Sequence, residues 1–244
     1  MEIKEHPYLA GTTRCKGYFA CPSHVERPPI VVIAPTWEGI NGFAKEQAEK
    51  LAERGYAAFV ADLFGDGKAA SSPEEAASLI KPLFIDRKLL RERILAAILE
   101  AKKFHEVDSS KVAAMGFCFG GLTVIELMKS GAILKGVVSF HGVLGNELMG
   151  ITAKLEPTAP EINTSFLLLH GYKDPLVSTK DLLDLEAELA AKNVDWQAHI
   201  YGLAAHAFTN PDSHDPAAGM YFEPRTCHRS MMTLYTFLKE IFNE

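Results

Sequence analysis

Five short apolar runs set the limits on how this chain folds. They are Ile30–Ala34, Tyr56–Ala61, Lys111–Met115, Gly136–Phe140 and Ser165–His170. Runs of this length without polar alternation fit strands buried on both faces, as in a parallel sheet. Parallel neighbours need long crossovers, and the intervening segments have helical spacing. Ala44, Ala48, Leu51 and Ala52 form one stripe, and Gly55 closes it. Leu90, Ile94, Ala97, Ile98, Ala101 and Phe104 form a second. Leu182, Leu185 and Leu189 form a third, behind a Ser178 cap. Ser72-Pro73-Glu74-Glu75 carries a helix-start pattern, and a longer helix follows it. The expected class is α/β: a mostly parallel central sheet with helices on both faces, in one domain over residues 1–244.

The remaining segments are secondary to that frame. Arg14–Cys21 reads as one antiparallel edge strand, stopped by Pro22. Asp195–Tyr201 alternates, as an outer strand does. Residues 62–72 read as loop, and 142–163 as an irregular surface excursion with Pro157 and Pro160. The last helix carries Cys227, Met231, Leu234, Tyr235, Leu238, Ile241 and Phe242 on its inner face.

Charge and composition narrow the partners. The net charge is −6 over 244 residues, without a basic stripe, which argues against nucleic acid. No apolar run approaches the roughly 20 residues of a membrane span. The first residues lack the basic-then-apolar pattern of a secretory leader. Four cysteines, at 15, 21, 118 and 227, are too scattered for a disulfide scaffold. A cytoplasmic setting is expected, with Cys118 free. Monomer and dimer both remain open.

The chemistry centres on Gly116-Phe117-Cys118-Phe119-Gly120-Gly121. It lies between the run ending at Met115 and a helix-like run from Leu122 to Lys129. This is the thiol form of the nucleophile elbow, in which a strained turn lifts the side chain above a strand end. A thiol needs a base to become a good nucleophile at neutral pH, and the base needs an acceptor to fix its tautomer. In a parallel sheet the strand carboxyl ends share one edge. Asp174 leaves that edge after Ser165–His170, and His206 after Asp195–Tyr201. Nucleophile, acid, histidine is the chain order of the α/β-hydrolase fold. Taken singly, Asp174 before Pro175 is a turn former, and one of nine histidines in a loop means little. Three strand-end positions in fold order carry the reading. His141 and His170 each precede a glycine at a strand end and read as groups packed behind the site. His199, His206 and His214 match no zinc spacing.

These residues resemble the dienelactone hydrolase family. Also similar are Gly39-Ile40-Asn41, Gly55-Tyr56-Ala57-Ala58 leading to Asp62-Leu63, and Gly202–Phe208. The resemblance runs from Ile30 to the last helix. It implies an α/β-hydrolase fold and a Cys118–His206–Asp174 hydrolase of esters or lactones, without metal or organic cofactor. It further implies an oxyanion hole from the amides of Phe119 and Trp37. Two departures stand out. The family's glutamate that partners the resting thiol falls at Thr36, so Glu38, two residues on, is the substitute candidate. The family's two substrate-binding arginines are also missing. One falls at Asn210, residues 62–86 hold no arginine, and Arg87 is a distant candidate. A neutral ester or lactone is therefore the expected substrate. Trp37, Phe117, Phe208 and Asn210 are the pocket candidates. A non-catalytic binding protein, a thiol redox sensor, and a hydrolase of thioesters or phosphotriesters stay open as alternatives.

Overall fold

In the computed structural model, which describes residues 1–243, an eight-stranded sheet organises the chain. Its strands are β1 (Glu2–Ala10), β2 (Thr13–Cys21), β3 (Ile30–Ala34), β4 (Ala57–Val60), β5 (Val112–Phe117), β6 (Gly136–Phe140), β9 (Ser165–Gly171) and β10 (Trp196–Tyr201). The order is β1-β2-β4-β3-β5-β6-β9-β10. From β4 to β10 every pairing is parallel, while β1–β2 and β2–β4 are antiparallel. Two small hairpins lie outside the sheet: β7 (Glu147–Leu148) with β8 (Ile151–Thr152), and β11 (His214–Asp215) with β12 (Met220–Tyr221).

The strand sequences divide the core in two. Ile30, Val32 and Ala34 of β3 point to one face, where α2 (Pro73–Ile85), α3 (Arg87–Ala101), α4 (Phe119–Lys129) and α5 (Thr179–Ala191) pack. Val31 and Ile33 point to the other, covered by α1 (Gly42–Glu53) and α6 (Pro224–Phe242). Period-two side-chain alternation makes this division, and apolar runs are needed because both faces are buried. All five central runs form strands of the sheet.

Three expectations change. Arg14–Cys21 is antiparallel, but it is not the edge: β1 covers it. The exposed Glu5 and Pro7 of β1 suit an edge strand, where a missing amide is tolerated. The helical stretch after Ser72 is two helices. Ser72 accepts from the Glu75 amide at 3.2 Å, as its pattern implies. Asp86 then ends α2 in extended backbone and caps α3 through Leu89 N at 3.0 Å. The β11–β12 hairpin is short and polar and carries no strand pattern in the sequence. Among the described residues no helix is long and apolar enough to cross a membrane.

Candidate active site

Cys118 joins β5 to α4 with φ 57° and ψ −117°. A non-glycine residue there stores about 1–3 kcal/mol of strain, which the surroundings must hold. They do so by close packing. A Cβ on Gly120 would sit 2.0 Å from Ala34 O and 2.5 Å from Pro35 O, so only glycine lets the elbow meet the end of β3. The Cys118 amide donates to Phe140 O at 3.1 Å, tying the elbow to β6.

Asp174 and His206 arrive on the loops after β9 and β10. His206 Nδ1 lies 2.8 Å from Asp174 Oδ2, and both side chains are buried. The two loops approach closely because residue 171 is glycine: a Cβ there would meet Ala205 O at 2.6 Å and Ala204 O at 2.7 Å. The Lys173 amide donates to Ala204 O at 2.9 Å. Asp174 Oδ1 accepts from Leu176 N at 2.9 Å, which fixes the carboxylate. The β11–β12 hairpin clamps the histidine, with His206 N donating to Gly219 O and Tyr221 N donating to His206 O.

Among the described residues His206 Nε2 is buried without a hydrogen-bond partner. Burial pushes the imidazole pKa down. The nearby Cys118, then the hydrogen bond to Asp174 and the Asp174 charge, outweigh that and raise it to about 10. An imidazole so placed holds a proton readily. The amides of Trp37 and Phe119 donate to no protein acceptor among the described residues. Phe119 opens α4, whose N-terminus favours negative charge.

The other candidates scatter. Phe117 is core: it stacks on Phe140 at 4.7 Å and meets Phe43 edge-on at 5.1 Å. Phe208 is fully buried between His141 and Tyr201, so it lines no open pocket. Trp37 is half-buried and packs against the same cluster as Cys118. Glu38 accepts from Asn41 Nδ2 at 2.6 Å, and Thr36 Oγ1 accepts the Glu38 amide at 3.4 Å. Neither residue hydrogen-bonds the sulfur, because each serves the turn that leads into α1. Asn210 Oδ1 accepts from the Asp212 amide at 3.1 Å, which makes it a turn residue at the rim.

Among the described residues Arg87 makes no hydrogen bond, ion pair or ring contact with Cys118, Asp174 or His206. It is fully buried, with Nε 4.0 Å from Glu126, Nη2 3.4 Å from Gly145 O, and its guanidinium over the Phe84 ring. Burial outweighs Glu126 and lowers its pKa to about 10. Cys227 is half-buried, its Sγ 3.8 Å from Thr209 O. Among the described residues no group of three or more His, Cys, Asp or Glu side chains is arranged to hold a metal.

The family model for the dienelactone hydrolase family matches residues 15–241. The chain belongs to this family. It is a hydrolase acting on ester or lactone bonds. It is 25% identical over 193 residues to the carboxymethylenebutenolidase of Pseudomonas putida, covering 76% of this chain and 77% of that one. It is 28% identical over 210 residues to Protein usf of Aquifex pyrophilus, covering 83% and 87%. A solved dienelactone hydrolase-like promiscuous phosphotriesterase from metagenomic libraries superimposes with TM-score 0.90 at 36% identity, covering 98% of each chain.

Proposed function

We propose that this single domain, residues 1–244, hydrolyses small neutral esters or lactones through a Cys118–His206–Asp174 triad. The observation that carries the reading is the 2.8 Å His206–Asp174 contact, which leaves Nε2 for a sulfur held on a strained elbow. His206 Nε2 takes the thiol proton, and Sγ attacks the carbonyl carbon. The displaced electron pair settles on the carbonyl oxygen, which meets the amides of Trp37 and Phe119. Collapse expels the alcohol, protonated by His206, and leaves a thioester. Water then gives its proton to His206, attacks the thioester and releases the acid and Cys118. A neutral substrate is the reading because Arg87 is fully buried and Asn210 is held in its own turn.

A p-nitrophenyl ester panel tests this. Cys118→Ala is expected to abolish turnover, and a rapid quench of the wild type is expected to show an acyl adduct on Cys118 by mass spectrometry. Undiminished turnover in the variant overturns the triad. The 36% identical phosphotriesterase favours one second reading, in which the same thiolate and oxyanion hole take a phosphotriester. Adding paraoxon to the panel tests it, and turnover lost in Cys118→Ala supports a shared site.

A further inference from the structure

Residues 140 and 141 join the three segments that carry Cys118, Asp174 and His206. Phe140 O accepts the Cys118 amide at 3.1 Å, and the His141 amide donates to Leu169 O at 2.8 Å, at the end of the strand that leads to Asp174. The His141 side chain makes the third connection. Its Nε2 is 2.8 Å from Thr209 Oγ1, three residues after His206 in the histidine loop. Its ring meets the His206 ring edge-on, centroids 5.2 Å apart at 68°. Phe208 closes on its other side at 5.1 Å. His141 is buried at φ 37°, a backbone strain that such anchoring sustains.

We infer that His141 is a positioning residue for the reaction proposed above, holding the His206 imidazole at its reach from Cys118 through the ring contact and the bond to Thr209. The inference rests on that reading of the triad. The groups that face His141 are His206, His170 and Thr209. Burial, then the neighbouring His206 and His170, hold its pKa well below the ordinary value, so the tether is a neutral imidazole. Among the described residues its Nδ1 has no partner, and the nitrogen bonded to Thr209 supplies the directional contact.

The test compares His141→Phe, His141→Gln, Thr209→Val and the His141→Phe/Thr209→Val double variant with wild type and Cys118→Ala. Turnover of p-nitrophenyl butyrate and the pH profile of Cys118 alkylation by iodoacetamide are both measured. Misplacement of a catalytic group by about an ångström costs up to about a hundred-fold. Accordingly, His141→Phe and Thr209→Val are each expected to lower kcat by about ten- to a hundred-fold with KM within about two-fold. Both variants should shift the alkylation profile toward that of an unassisted thiol. His141→Gln, which places its amide near the Nε2 position, should recover most of the rate. The double variant should be no worse than the poorer single one, because both changes break one bond. If His141→Phe fails to fold, Thr209→Val decides from the other end of the bond. Wild-type kcat and an unchanged alkylation profile in Thr209→Val, with Cys118→Ala inactive, overturn this inference alone. Turnover that persists in Cys118→Ala overturns the triad itself.

Discussion

Two buried aspartates follow parallel strands of the same sheet and do different work. Asp62, after β4, accepts four backbone amides: Phe64 at 3.1 Å and Gly65 at 2.8 Å on Oδ1, Lys16 at 2.8 Å and Gly67 at 2.7 Å on Oδ2. Asp174, after β9, accepts one amide on Oδ1 and keeps Oδ2 for His206. The first carboxylate is consumed by its own loop and the β2 backbone. The second is held just firmly enough to orient a side chain from elsewhere. Both are aspartates just past a strand end, and the number of amides that reach each carboxylate separates them.

That contrast is open to direct attack, and the largest expected effect is on rate. Asp174→Asn should lower kcat by about a thousand- to ten-thousand-fold, since an amide does not hold the imidazole in the productive tautomer. Asp62→Asn should stay within a few-fold of wild type in the same steady-state assay. Equal losses would dissolve the contrast. Stability should divide the other way. Asp62→Ala strands four amides, and denaturant unfolding should show a loss of about 3 kcal/mol, against about 1 kcal/mol for Asp174→Ala.

A smaller effect probes the approach of the two loops. Gly171→Ala drives a methyl toward Ala205 O, 2.6 Å from the ideal Cβ, and should part Asp174 from His206. An activity loss of about ten- to a hundred-fold is expected, with KM little changed. The finest test is pH. The folded-state pKa of His206 is raised to about 10 from the ordinary 6.5. Its contribution to stability is therefore complete below about pH 6.5 and lost as pH rises through about 10. Thermal melts between those limits should fall more steeply for wild type than for Asp174→Asn. Asp62→Asn should follow the wild-type slope. His141 has the opposite sign: its pKa is lowered, so its contribution is lost as pH falls below 6.5.

Much of this was legible in the sequence, for reasons that can be named. Doubly buried strands such as Ile30–Ala34 need uninterrupted apolar runs, and the elbow needs its glycines, so both leave marks in the sequence. Chain order then brings Asp174 and His206 to the rim that holds Cys118. Other features leave weaker marks. β1 mixes charged residues with apolar ones without a regular period and contains Pro7, a pattern that a solvated segment shares. The break at Asp86 depends on one capping carboxylate. Phe117 and Phe208 read as lining because an aromatic residue has the same hydrophobicity in a core as in a pocket, and only tertiary packing separates them. Glu38 sits near the position where the family keeps a thiol partner, but the Asn41 amide captures it locally. The anchoring of His206 by a hairpin and by His141 involves contacts distant in the chain, which no local pattern encodes.

The contact of Gly120 with Ala34 and Pro35 has a practical consequence for anyone redesigning this protein. The floor beneath the sulfur is backbone against backbone, so it offers no side chain to trim and no space to fill. Random libraries aimed at residues 116–121 would yield mostly misfolded chains. Changes of length and composition fit the exposed stretches 68–72, 146–152 and 215–218 better.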